Sequence, residues 1–205
     1  MSLTLYYAPH SSATPTHWII EELGVPYEAV KMDFASGSTR KPEYLKINPN
    51  GKVPCLVHDG TSIFESAAIA MYLGEMFGVE KGLYPKAGPK RGDAMKWIVW
   101  CNVSLGEAVS RYMHATSDWV PKEIHHEPSA AHAKKSILEH LAILDAELAN
   151  KPYLLGEQFS IVDAHLASWF EYVSYTKIDL APFKAIDAWA ARCKARPVYA
   201  KISAG

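Results

Sequence analysis

The stretch Asn48–Leu73, NPNGKVPCLVHDGTSIFESAAIAMYL, limits the fold of this chain more than any other. Asn-Pro-Asn-Gly is a turn signal. Val53-Pro54 then sets a proline ahead of the apolar run Cys55-Leu56-Val57. Proline cannot donate to a strand ladder, so it belongs at the very start of a strand. Asp59-Gly60 is a pair favoured in tight hairpins, which makes Ser62-Ile63-Phe64 the returning strand. Glu65-Ser66 ends that strand, and Ala67–Leu73 opens a helix.

This order carries chemistry. A helix N-terminus presents unpaired N–H groups and a partial positive charge, which suit a carboxylate. Glu65 beside it offers an acceptor for a ligand ammonium. The residue before a proline is held extended, so Val53 N–H and C=O can pair with a ligand backbone as one more strand. A ligand with an amino-acid head and a peptide body fits these three features. The structural alternative is that Ser66 is a helix N-cap and Glu65 a favourable first-turn charge.

Read from its start, the chain gives a strand at Leu3–Tyr7, a loop over 8–14 and a helix to about Leu23, stopped by Gly24. A second strand centres on Ala29–Met32. A polar stretch follows, then a short helical piece, Pro42–Leu45. With the hairpin and its helix, the sum is β-α-β-α-β-β-α within residues 1–78, a thioredoxin-like α/β domain. Residues 79–89 hold Gly and Pro and read as a linker. Residues 90–205 contain no convincing strand and read as an all-helical domain. Its expected helices are Asp93–Met113, Ser129–Leu148, Val162–Tyr175 and, last, Pro182–Arg196, with the stretch Thr116–Pro128 broken by Pro121 and Pro128. Ile137, Leu141, Leu144 and Leu148 recur at helical spacing. Ser160 with Asp163 forms a capping box, with Phe159 as its staple, so Asp163 is assigned a structural role and not a catalytic one.

Composition excludes several classes. Basic and acidic residues number 21 and 22, which leaves no charge excess for nucleic acid or a membrane surface. The three cysteines, Cys55, Cys101 and Cys193, are far apart and odd in count, which fits a reducing compartment and a cytoplasmic protein. No apolar run approaches a membrane span. The scattered histidines show no ligand spacing, so no metal site is expected.

The string NPNGKVPCLVHDG followed by the ESAAIAMYL helix resembles the glutathione-binding half of the soluble glutathione S-transferase family, in a bacterial serine, beta or theta-like form. The two-domain layout resembles it too, and the likeness covers nearly the whole chain. The resemblance implies a cis Val53-Pro54 bond, Val53 against the cysteinyl backbone of glutathione, and Glu65 and Ser66 on its γ-glutamyl head. It also implies Lys52 near the glycyl end, with Arg40 and Lys41 as further candidates. It implies no prosthetic group: glutathione is a co-substrate whose own sulfur is the nucleophile. Three hydroxyls compete to hold that sulfur as thiolate. Ser11 matches the serine of plant-type classes, Ser12 stands where the beta class carries a cysteine, and Tyr7 matches the tyrosine of mammalian-type classes. Ser11 is placed ahead of Ser12, and both ahead of Tyr7. A second, hydrophobic and electrophilic substrate is expected between the domains, lined by His10, by the 102–112 helix face with Asn102, Arg111 and Tyr112 as its candidates, and by Trp119. A homodimer and a detoxification role are further implications. The expected activity is glutathione transfer. The alternatives are isomerisation, dehalogenation or peroxide reduction on the same fold, or a non-enzymatic interaction module.

Overall fold

The computed structural model describes residues 2–203. The first domain runs β1 (Leu3–Tyr7), α1 (Thr14–Leu23), β2 (Glu28–Lys31), a 3-10 turn (Ser38–Arg40), α2 (Pro42–Leu45), β3 (Cys55–His58), β4 (Thr61–Phe64) and α3 (Ser66–Leu73). The sheet order is β2-β1-β3-β4. β1 pairs parallel with β2, setting Leu5 opposite Ala29, and antiparallel with β3, setting Leu5 opposite Leu56. β3 and β4 form the expected hairpin, with Asp59 at φ 46° and Gly60 at φ 83° in the left-handed conformations that a tight turn of this kind requires. Leu5 and Leu56 are fully buried, as are Trp18, Ile19 and Leu23 of α1 and Ile69 and Leu73 of α3. Removing each such side chain from water contributes ~1.5–3 kcal/mol, so the sheet and its two helices share one core.

The second domain is helical: α4 (Pro89–Trp100), α5 (Glu107–Thr116), α6 (Glu127–Leu148), α7 (Ile161–Ser174), α8 (Lys184–Lys194) and α9 (Pro197–Ser203). Together these elements make a thioredoxin-like domain followed by a helical one. Segment 79–88 holds no regular element, yet it is not loose. Tyr84 is buried against Gly74, and Leu83 accepts a hydrogen bond from Ile161 N–H at 3.0 Å.

Four expectations need correction. The helix expected over Asp93–Met113 starts at Pro89 and ends at Thr116, and Cys101–Gly106 within it is a π-helical stretch. Backbone dihedrals stay helical on both sides of that stretch, so α4 and α5 are one rod with a widened turn. Pro128 does not break structure. It lies in the first turn of α6, where its missing N–H costs nothing. Pro182–Arg196 is not the last helix, because Pro197 opens α9 by the same rule. Ser66 is not an N-cap: Glu65 holds that position at φ 72°, and Ser66 is the first helical residue.

The capping box is as expected. Asp163 is fully buried and accepts from Leu154 N–H, Ser160 N–H and Trp189 Nε1, each at 2.9 Å, and from Ser160 Oγ at 2.8 Å. Burial raises the pKa of its carboxyl, and these hydrogen bonds oppose the rise. The turn between α8 and α9 is tied to α1 by Arg196, whose Nε and Nη2 donate to the two Glu22 oxygens at 2.8 and 2.6 Å. No described helix is long and apolar enough to cross a membrane.

Candidate functional site

A groove of about 360 Å³ lies between the two domains. Ser12, Lys52, Val53, Pro54, Glu65 and Ser66 line it from the sheet side. Asn102, Gly106, Glu107, Ser110 and Trp169 line it from the helical side.

The sheet-side wall is built by a loop held from beneath. The Lys52 carbonyl accepts from both Tyr44 Oη at 2.6 Å and Asn48 Nδ2 at 2.7 Å. Asn48 Oδ1 in turn accepts from Asn50 N–H at 3.1 Å. Gly51 sits at φ 59°, and a Cβ there would stand 2.8 Å from the Thr39 carbonyl, so only glycine suits the turn. The Val53–Pro54 peptide is cis. Val53 N–H donates to no described backbone carbonyl. Its C=O accepts from Ser12 Oγ at 2.9 Å, so one side of the strand-like edge is already engaged.

Glu65 is the strained point of the wall. Its φ of 72° and ψ of 115° lie outside the conformations that side chains favour, a cost of about 1–3 kcal/mol. Its exposed carboxylate holds no ion pair with a described residue. Next to it, the first N–H groups of α3 have no partner within the helix. An acceptor for an ammonium and donors for a carboxylate therefore stand side by side.

The helical wall depends on the π stretch. Asn102 Nδ2 donates to Ser66 Oγ at 2.8 Å, and Asn102 Oδ1 lies 2.7 Å from His165 Nε2 on α7. His165 is completely buried, and burial lowers its pKa to about 3, so the ring is neutral. Gly106 lets the Trp169 indole close on the rod: a Cβ at Gly106 would lie 3.0 Å from that ring.

The three competing hydroxyls separate clearly. Ser11 is buried, donating through Oγ to the Ala8 carbonyl at 2.6 Å and accepting from Ala13 N–H at 3.1 Å. Tyr7 lines a different cavity of about 80 Å³, together with His10, His17 and Tyr199. Ser12 alone of the three lines the groove. The residues expected near a second substrate also separate. Asn102 is in the groove, whereas His10 lines the small cavity and Tyr112 a third one beside Trp119. Arg111 is paired with Glu107, one turn before it. Arg40 donates to the Asn50 carbonyl at 3.3 Å, and Lys41 is exposed at the start of α2. His165 and Trp169 carry no signal in the sequence, whereas Glu107 and Ser110 fall on the 102–112 helix face expected at this site. A helical step from Asn102 through Gly106 to Ser110 was the available signal for that face.

All three cysteines are buried, and none lines the groove. Burial pushes Cys55 up to about 11 and raises Cys101 and Cys193 well above the ordinary thiol range. Among the described residues, no cluster of three or more His, Cys, Asp or Glu side chains could hold a metal.

Fold and groove define a thioredoxin-like domain fused to a helical one, with the ligand edge at the junction. Residues 1–75 match the family model "Glutathione S-transferase, N-terminal domain", and residues 109–197 match "Glutathione S-transferase, C-terminal domain". The chain belongs to the glutathione S-transferase family. It is 30% identical over 205 residues to the disulfide-bond oxidoreductase YfcG of Escherichia coli (strain K12), covering 95% of this chain and 91% of that one. It is 29% identical over 186 residues to the glutathione S-transferase GstB of the same organism, covering 89% and 88%. Among solved structures, a glutathione transferase homologue from Sulfitobacter with bound glutathione superposes with a TM-score of 0.85. That pair is 26% identical, over 99% of this chain and 97% of the other.

Proposed function

We propose that this protein is a glutathione transferase that binds glutathione in the interdomain groove and stabilises its thiolate for attack on a small hydrophobic electrophile. The observation that carries this reading is the convergence of Ser12, Val53, Glu65 and Ser66 on one groove that no cysteine lines. The nucleophilic sulfur must then come with the ligand. A cysteine-type thiol titrates at about 8.5, and lowering it by ~2 units makes most of it thiolate at neutral pH, worth ~2.7 kcal/mol. Ser12 is the hydroxyl assigned to donate to that sulfur. It must swing from the Val53 carbonyl to do so. Glu65 takes the γ-glutamyl ammonium, Ser66 and the α3 N-terminus take the adjoining carboxylate, and Val53 N–H takes the cysteinyl carbonyl. Lys52 is assigned to the glycyl carboxylate.

Calorimetry with glutathione, followed by turnover of a chlorodinitrobenzene-type acceptor, tests this. Binding with micromolar to millimolar affinity and formation of the thioether are expected. A folded protein that binds no glutathione at millimolar concentration refutes the reading.

A second reading is favoured by the name of the 30% identical relative and by the same lack of a groove thiol. Here bound glutathione thiolate attacks a disulfide, forms a mixed disulfide with one sulfur and releases the other as thiolate. A small symmetrical disulfide offered in place of the aromatic acceptor separates the two by product. The homodimer belongs to the same proposal, supported by the exposed Phe34, Val99 and Val103, and light scattering tests it.

A further inference from the structure

We infer that His165 is a positioning residue for the ligand's α-carboxylate, acting through Asn102 on the hydroxyl of Ser66; this rests on the glutathione-binding reading above. The three side chains form one chain of contacts from the centre of the helical domain to the floor of the groove. His165 Nε2 lies 2.7 Å from Asn102 Oδ1, and Asn102 Nδ2 lies 2.8 Å from Ser66 Oγ. Ser66 is 4% exposed and His165 is 0% exposed, so water does not readily replace either contact.

The direction of the hydrogen bonds follows from the His165 ring. Its Nδ1 is buried and has no hydrogen-bond partner among the described residues. If Nδ1 carried the proton, a buried N–H would be orphaned, which native structures almost never tolerate. If Nε2 carries it, only a lone pair is left over, a lesser cost. The proton therefore sits on Nε2 and points at Asn102 Oδ1. That fixes the amide, because Oδ1 must accept and Nδ2 must face Ser66. Ser66 Oγ then accepts from Asn102, and its own O–H has no acceptor among the described residues. The hydroxyl is left as a donor at the first residue of α3, beside the unpaired N–H groups of that helix. Donors of this kind converge on a carboxylate, not on an ammonium. Were Asn102 flipped, the Ser66 hydrogen would be spent on Oδ1 and the groove would present an oxygen lone pair to an anion. His165 is the group that forbids the flip.

The π stretch is what brings Asn102 into line. It lies in the widened turn Cys101–Gly106, between α7 on one side and the start of α3 on the other.

The test measures binding of two ligands: glutathione, and 4-aminobutanoyl-cysteinylglycine, which keeps the amine and the peptide body but lacks the α-carboxylate. For His165→Leu, glutathione is expected to bind about tenfold more weakly, the scale of one hydrogen bond to a charged group. The analogue is expected to bind His165→Leu and the unmodified protein equally. His165→Gln carries an N–H where Nε2–H stood and is expected to recover glutathione affinity to within about twofold. The Michaelis constant for glutathione rises in His165→Leu while kcat at saturation holds. Equal glutathione affinity in His165→Leu overturns the inference, as does an equal loss on both ligands or failure of His165→Gln to rescue. If His165→Leu does not fold, Asn102→Ala breaks the chain at its half-buried middle. A loss confined to glutathione supports the inference, and a loss shared by both ligands overturns it. An unmodified protein that binds neither ligand overturns the functional reading and this inference together. Binding by it with indifferent variants overturns this inference alone.

Discussion

Replacing His165 by Gln will flatten the acid side of the stability profile. Burial without a charged partner holds the His165 pKa at about 3, against an ordinary value of 6.5 in the unfolded chain. The folded pKa is depressed, so between those values the unfolded state binds one more proton than the native state. Stability then rises with pH through this window and is lost as pH falls. The slope from this one group is ~1.4 kcal/mol per pH unit, and integration from pH 8 to pH 5 gives about 2 kcal/mol. His17 and His140 are also lowered by burial and add slope of the same sign, but they are common to both proteins. The measurement is urea unfolding of the unmodified protein and His165→Gln at pH 8, 6.5 and 5, with circular dichroism as the readout. The unmodified protein is expected to lose about 2 kcal/mol more than the variant between the outer two points. Parallel profiles would refute the claim that this imidazole is neutral and unprotonated in the native core.

Ser12→Ala is expected to lower kcat/KM about a hundredfold and return the pH midpoint of the reaction toward ~8.5, the free thiol value. Ser11→Ala is expected to leave that midpoint in place and cost about 1 kcal/mol of stability, since its hydroxyl only closes the turn before α1. Steady-state rates from pH 6 to 9 with paired melts distinguish the two. Gly74→Ala will destabilise the protein by about 1–3 kcal/mol in chemical denaturation although alanine favours helix, because the new Cβ would meet Tyr84 and Ile161 atoms at 2.7 Å. Asp163→Asn will cost roughly 2–3 kcal/mol in the same assay, since it turns the acceptor for the Ser160 N–H and hydroxyl into a donor. A thiol-reactive chromophore added to the native protein should label no cysteine within minutes and all three after urea, given their burial.

Much of the fold was legible because its punctuation is local. Gly24, Pro54, Asp59-Gly60 and the Ser160–Asp163 box each act through backbone rules that a sequence displays directly. The errors fell where one residue serves two opposite purposes. Proline both stops helices and starts them, so Pro128 reads as a break where it stands in the first turn of α6, and the helix that Pro197 opens goes unread. The sheet-side edge of the groove was legible for the same reason as the hairpin: Val53, Glu65 and Ser66 lie within a single continuous motif. On the helical wall Asn102 was legible but its contact with His165 was not, since the two are 63 positions apart and meet only through tertiary packing. Choosing among Ser11, Ser12 and Tyr7 depended on which way a tight loop turns each hydroxyl. Periodicity says nothing about that.

The widened turn at Cys101–Gly106 has a consequence for how this groove can vary. An extra residue in a helical turn rotates everything beyond it by roughly a quarter of a circle relative to what came before. α4 is thus free to keep its inner face on the sheet domain while Glu107 and Ser110, further along the same rod, look into the groove. Trimming one residue from that turn would swing these side chains off the ligand with no change in their identity. In this protein the contents of the helical wall are set by phase as much as by composition.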